Sequence, residues 1–217
     1  MQKRRTVGFK YFMDTDALHF KMETLRYFVL NKPDDMASQF VSSHDIRLLG
    51  DIDFEFPEGI HAIGRLDKQS EGLLLLTTDK SITRLLFQGK VPHKRRYLVL
   101  VRGVVTAASI RRLEEGVEIP VKDGGVYVTK PCAANMVSEP GIRFSSGYVI
   151  HERVPHSWLE IEMIEGKFHQ VRKMMTAIGH TCKRLIRLSI EDIGLGDLQP
   201  GEIMELSQED FFRRLHL

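Results

Sequence analysis

Cysteine is scarce: two residues in 217, Cys132 and Cys182, so the fold does not rest on a disulfide framework. They lie fifty positions apart, with no Cys-x-x-Cys and no His or Cys at ligand spacing, which excludes a zinc finger and leaves two structural thiols. Long apolar runs are missing as well. The longest reach about five residues, too short for a membrane-spanning helix or the core of a secretion signal, so a cytoplasmic, soluble protein is expected. There is no phosphate-loop or dinucleotide fingerprint, because Gly64 and Gly72 have neither the spacing nor the context. No solenoid-period repeat and no low-complexity segment occur. His151 and His156 are five apart without acidic or cysteine partners, so no metal site is expected.

Net charge is small, 31 Lys and Arg against 29 Asp and Glu. Its distribution is uneven. No acidic residue falls between Lys80 and Gly103, where Lys80, Arg84, Lys90, Lys94, Arg95, Arg96 and Arg102 all occur. A second acid-free stretch, Lys167 to Arg187, holds Arg172, Lys173, Lys183, Arg184 and Arg187. Segregated basic segments that can converge on one face are the footprint of a polyanion partner.

With 42% hydrophobic residues the chain can bury a substantial core. Met1 to about Glu23 reads as a basic arm without period, and one domain is expected over 24–217. Leu25–Leu30 reads as a buried strand stopped by Lys32-Pro33-Asp34-Asp35. Leu73–Thr77 is a second apolar strand, with Asp79 as N-cap of a short helix carrying Ile82, Leu85 and Leu86. Tyr97–Val101 reads as a strand, Thr106–Glu115 as a helix closed by Gly116, and Gly124-Gly125 as a hairpin turn. Trp158–Ile164 alternates apolar and acidic positions, and Phe168, Val171, Met174, Met175 and Ile178 recur at helical spacing up to Gly179. Glu202–Leu206 and a capped helix from Ser207 close the chain. Strands outnumber helices without regular β-α-β alternation, which gives an α+β fold with a mixed, mainly antiparallel sheet and helices on its faces.

Chemistry concentrates in Gly64-Arg65-Leu66-Asp67-Lys68-Gln69-Ser70-Glu71-Gly72, directly before the Leu73–Leu76 run. Bracketing glycines let backbone approach a ligand, and Asp67 stands at the edge of an apolar strand where partial burial can tune it. Read alone, Asp67 is more simply a turn cap.

The segments Asn31-Lys32-Pro33, Gly64 through Thr77, Arg96-Tyr97-Leu98-Val99 and Glu165-Gly166-Lys167-Phe168-His169-Gln170-Val171-Arg172-Lys173-Met174 occur in one order that resembles the pseudouridine synthases of the RsuA/RluB/RluE/RluF group. Arg184-Leu185-Ile186-Arg187 through Glu202 is similar to that family's final segment, so the likeness runs over about residues 26 to 206. The residues before Lys32-Pro33 are too few for the S4 RNA-binding module of most of the group, and with Ser157-Trp158-Leu159 this is similar to the RluE subfamily. Two positions depart from the pattern: His169 replaces the arginine common before Gln-Val-Arg, and Thr78-Asp79-Lys80 stands where Asn-Asp-Gly is usual.

The resemblance implies a central RNA-binding cleft and isomerisation of one uridine in ribosomal RNA, most specifically 23S rRNA, with no cofactor; a monomer is the default expectation. It implies that Asp67 acts as nucleophile at C1′ or C6, or as the base that removes the 2′ proton. Tyr97 would lie against the flipped base, and Arg172 would pair with Asp67 to orient it. Arg65 would fill the space the base vacates or hold its phosphate, and Lys32, Lys94, Arg96, His169 and Lys173 would contact RNA. A non-catalytic rRNA-binding or ribosome-assembly protein on the same fold is the competing reading, and intact Asp67, Tyr97 and Arg172 weigh against it.

Overall fold

The computed structural model describes residues 24–88, 91–138, 140, 148, 150 and 153–217. The basic arm expected over 1–23 lies outside them. Strand β1 (Tyr27–Lys32) is buried at every position, as an apolar strand covered on both faces should be. A short β2 (His61–Ile63) and the Leu-rich β3 (Glu71–Thr77) form a hairpin, and helix α1 (Ile82–Gln88) follows, with Asp79 Oδ1 accepting from Ser81 N and Oγ just before it. Then come β4 (Arg95–Arg102) and α2 (Ala107–Glu115), which Thr106 caps by accepting from Ser109 N and Gly116 ends at φ 104°. Strands β5 (Glu118–Pro120) and β6 (Val126–Val128) form the hairpin turned at Gly124-Gly125. After β7 (Ala133–Val137) and β8 (His156–Met163) come α3 (Gln170–Ala177), β9 (Thr181–Ile190), β10 (Ile193–Gly194), β11 (Ile203–Leu206) and α4 (Gln208–Leu215).

The architecture is α+β. One nine-stranded sheet runs β11-β1-β3-β9-β4-β8-β7, with β2 on β3 and β10 on β9. The β3–β9 pair is parallel and the other pairs are antiparallel. Side-chain alternation along β1 divides the core: Tyr27 and Val29 pack with Phe211 and Leu215 of α4, while Phe28 and Leu30 face Leu49, Phe54 and the irregular segment between β1 and β2. Phe40, Phe54 and Phe56 meet there edge-to-face at 5.0 Å, which lets a segment almost without regular structure cover one face of the sheet. A third cluster joins β4 and β8 to α2 and α3 through Val99, Leu159, Leu113 and Met174.

Two departures from the sequence expectation bear on the site. The central strand β9 has no counterpart in it, because Lys183, Arg184 and Arg187 make the stretch read as a solvated basic segment. In the fold Arg184 is buried and donates from Nε and Nη2 to both oxygens of Glu71 on β3, at 3.0 and 2.7 Å. Helix α3 begins at Gln170 rather than near Phe168. His169 precedes it in the left-handed region, at φ 53°, and Phe168 is 69% exposed instead of joining the apolar face of the helix.

Candidate active site

The segment from Gly64 to Ser70 joins β2 to β3, and its backbone is tied at nearly every step. Gly64 turns the chain at φ 73°. Ser38 Oγ donates to Leu66 O at 2.8 Å and accepts from Leu66 N at 3.0 Å, Met36 N donates to Lys68 O at 3.2 Å, and Ser70 N closes the turn on Asp67 O at 2.9 Å. Arg172 Nη2 donates to Gln69 O at 2.6 Å and to Ser70 Oγ at 3.3 Å. A carboxylate on so constrained a loop is held in place before any ligand arrives. Ser38 has no apolar period or motif to mark it in sequence, yet it satisfies both polar groups of the residue before Asp67. Ser38→Ala is expected to destabilise the protein by about 1–3 kcal/mol through those two buried backbone groups. The same variant should slow turnover at Asp67 by about tenfold, because small misplacements of reacting groups are costly. Denaturant melting and single-turnover rates check both, and an unchanged rate would detach Ser38 from the site.

Asp67 itself is 29% exposed, and His169 lies beside its carboxylate, with Nε2 3.5 Å from Oδ1. Arg172, expected to hold that carboxylate, braces the turn two and three residues further on. The reach of its side chain from the first turn of α3 ends on the Gln69 and Ser70 groups. Strain at His169, a non-glycine residue in the left-handed region, therefore sits directly against the carboxylate.

A cleft of about 870 Å³ opens beside Asp67, and Arg65, Arg95, Tyr97, Glu165, His169 and Arg187 are among its lining residues. That is ample for a nucleotide. Strand alternation decides which basic residues of β4 reach it. Arg95 and Tyr97 share the cleft face, while Lys94 and Arg96 point the other way and pair with Glu162 at 3.1 Å and Glu160 at 3.6 Å on β8. Lys94 and Arg96, expected to contact RNA, thus face away from the cleft, and Arg95 between them lines it. Lys173 also turns aside, donating to Pro120 O at 2.7 Å with its ammonium 5.5 Å from the Phe168 ring centre. Arg65 is exposed at the mouth, donating to Gln39 Oε1. Lys130 and Lys167 also line the cleft, from the segments beside β6 and β8. Sequence reading passed over Lys130, a single basic position with no period, and met Lys167 only as the start of a basic stretch.

Lys32 is not on this surface. Its side chain is fully buried, and Nζ donates to Pro33 O and Met36 O at 2.7 Å and to Lys68 O at 3.3 Å, tying the end of β1 to the Asp67 loop from behind. Burial pushes this ammonium down to about 8, against attraction from Asp34, Glu71 and Asp67. The unfolded chain therefore binds this proton more tightly than the native protein does, from about pH 8 up to the ordinary lysine range. Over that window Lys32 contributes more to stability as pH rises, and below it the contribution is level. Lys32→Met abolishes the dependence, so the stability gap between wild type and variant should widen in favour of wild type from pH 8 to pH 10. Denaturant melts across that range check it; a constant gap would contradict the burial.

The second carboxylate in the cleft, Glu165, is fully engaged. It accepts from Tyr127 Oη, from Lys130 N at 2.9 Å and from Gln170 Nε2, and these donors hold it below the usual carboxylate range despite its burial. Phe168 and His169 stack at the rim with ring centres 3.9 Å apart. Among the described residues no cluster of three His, Cys, Asp or Glu side chains is placed to hold a metal ion, and no helix is long and apolar enough to cross a membrane.

Residues 26–177 match the RNA pseudouridylate synthase family. A protein of Vibrio parahaemolyticus named ribosomal large subunit pseudouridine synthase E is 36% identical over 187 residues, 85% of this chain and 75% of its own length. One of the same name from Xanthomonas axonopodis is 33% identical over 175 residues, covering 79% of this chain and 89% of its own. A solved structure described as a pseudouridylate synthase superposes with a TM-score of 0.71 at 26% identity, over 89% of this chain and 75% of that one.

Proposed function

This chain belongs to the RNA pseudouridylate synthase family, and on that premise we propose that it converts a uridine of 23S ribosomal RNA to pseudouridine, with Asp67 as the reactive carboxylate. The observation that carries the reading is the contrast between the two carboxylates of the cleft. Asp67 is partly open, faces one histidine and rides on a loop pinned from four sides, whereas Glu165 is saturated by three donors. A hydrolase would need a second free carboxylate to activate water, and Glu165 is not available for that.

Isomerisation breaks the N1–C1′ bond, turns the base and rejoins it through C5, so the protein has to extract the nucleotide, hold the sugar and hold the base. Flipping costs a few kcal/mol, which phosphate contacts and stacking must offset. In this reading Tyr97 gives the base a stacking face, and Arg65, exposed at the mouth, enters the vacated space or takes a phosphate. Asp67 then reacts with the sugar or base, or removes the 2′ proton, while Arg172 keeps the turn behind it rigid. His169 supplies a neighbouring donor to the carboxylate and, with Phe168, a flat surface toward the RNA. Residues 24–217 act as one catalytic domain, as a monomer, in the cytoplasm where ribosomal RNA is assembled.

The test uses large- and small-subunit rRNA transcripts carrying tritium at uridine C5. Moving the glycosidic bond to C5 expels that hydrogen, so the purified protein should release tritium into water from the large-subunit transcript. Release from the small-subunit transcript alone would overturn the 23S assignment. Release from neither would overturn the synthase reading.

A further inference from the structure

Two arginines three residues apart on β9 are treated differently by the fold. Arg184 is buried with a bidentate carboxylate partner, Glu71. Arg187 is 3% exposed, and Nε donates to Leu73 O at 2.7 Å, but among the described residues no carboxylate pairs with it and no acceptor meets its buried Nη2. Burial lowers the proton affinity of this guanidinium, and its principal side-chain support is Tyr97, which faces it across the β4–β9 pair, while Arg95 opposes it. A buried cation without an anion is a cost that a fold does not ordinarily carry for packing. Its position gives the reason: Arg187 lines the cleft together with Asp67 and Tyr97.

We propose that Arg187 is a positioning residue for the reaction, holding the Tyr97 hydroxyl and stabilising, through its buried charge, the negative charge on the uracil ring after it leaves C1′. This rests on the synthase reading above. When the N1–C1′ bond breaks, its electron pair stays with the base, spread over N1, O2 and O4. Attack by C5 returns a pair to a new C5–C1′ bond, and the proton that C5 sheds is matched by the one N1 gains, so nothing is oxidised or reduced. For that interval the pocket holds an anion. A fixed positive charge behind the stacking face, shielded from water, lowers the energy of this species without needing to reorganise. Arg95, also on the cleft face, adds to the same field. Gly72, whose absent side chain lets β3 approach the Arg187 backbone, keeps the charge seated against the loop of Asp67.

The experiment compares wild type with Arg187→Met, Arg187→Gln and Arg187→Lys by the single-turnover loss of the N1–C1′ bond in two transcripts, one with uridine and one with 5-fluorouridine at the target; C5 of the second has no proton to shed, so bond loss rather than pseudouridine is the readout common to both. Fluorine makes the ring a better leaving group, so it relies less on the protein to stabilise its anion. Loss of the charge in Met or Gln should slow uridine conversion by about 100-fold, with RNA affinity within about threefold of wild type. With 5-fluorouridine the deficit should shrink to about tenfold, and Lys, which keeps the charge but not the fork, should recover much of the uridine rate. Gln retains a donor for Leu73 O and serves if Met does not fold. Rates for Met or Gln close to wild type would overturn the proposal. So would a deficit of equal size for both substrates, which marks a purely structural part. Failure of wild type to make pseudouridine would instead overturn the synthase reading.

Discussion

Asp67→Asn is expected to reduce single-turnover pseudouridine formation by about 10⁴-fold while RNA affinity stays within about threefold. Asparagine keeps the size of the side chain and can still meet His169, but it can neither attack carbon nor take a proton. The fold does not depend on the carboxylate, since it is partly exposed and its hold on the structure is the backbone carbonyl that closes the turn with Ser70. Rapid-quench kinetics on a labelled transcript, with filter binding alongside, separates the two quantities. A rate within tenfold of wild type would move the chemistry away from Asp67 and reopen the question of Glu165.

Gly72→Ala should be among the most damaging single-methyl changes to stability. Gly72 sits at φ +96°, and a Cβ there would lie 2.4 Å from Arg187 O and 2.8 Å from Arg187 N. Neither atom can yield, because both belong to the backbone of β9 at its parallel pairing with β3. Strain in an unfavourable backbone conformation and overpacking together should cost about 3–5 kcal/mol, lowering Tm by about 10 °C or more for a chain of this size. Activity should fall as well, since the same methyl separates the Asp67 loop from Arg187. Gly59, at φ +76° with nothing within 4 Å, is the control: alanine there meets backbone strain without a clash and should cost about 1–2 kcal/mol. Equal losses at the two positions would show that the close approach of β3 to β9 contributes nothing.

Most of the secondary structure was legible because its signals were local. The buried run within Leu25–Leu30, the Ser207 cap, the Gly116 stop and the paired glycines at 124 and 125 each act within a few residues, and the fold uses them close to where they were read. Strand β9 was hidden because the meaning of Arg184 depends on Glu71, more than a hundred residues away, and no local pattern announces a buried ion pair. Phe168 fits a helical period that the chain does not follow, since the turn at His169 delays α3.

Within the site, Asp67, Tyr97, Arg65 and His169 do come together at one cleft, where motif order had placed them. The supporting residues were harder to assign. Lys94 and Arg96 were separated from the cleft by a single step of strand alternation, and Lys32, basic and next to a proline turn, went to the interior to tie two loops. Arg172 approaches the right loop but braces its backbone rather than the carboxylate. Charge type shows that a residue can meet phosphate; only the pleat and the burial decide whether it does.

The most direct test is a carbodiimide primer-extension map of pseudouridine across 23S rRNA from cells with and without this gene, complemented by wild type or by Asp67→Ala. Deletion should erase one stop, wild type should restore it, and Asp67→Ala should not. A map that deletion leaves unchanged, or a stop that Asp67→Ala restores, would contradict the account.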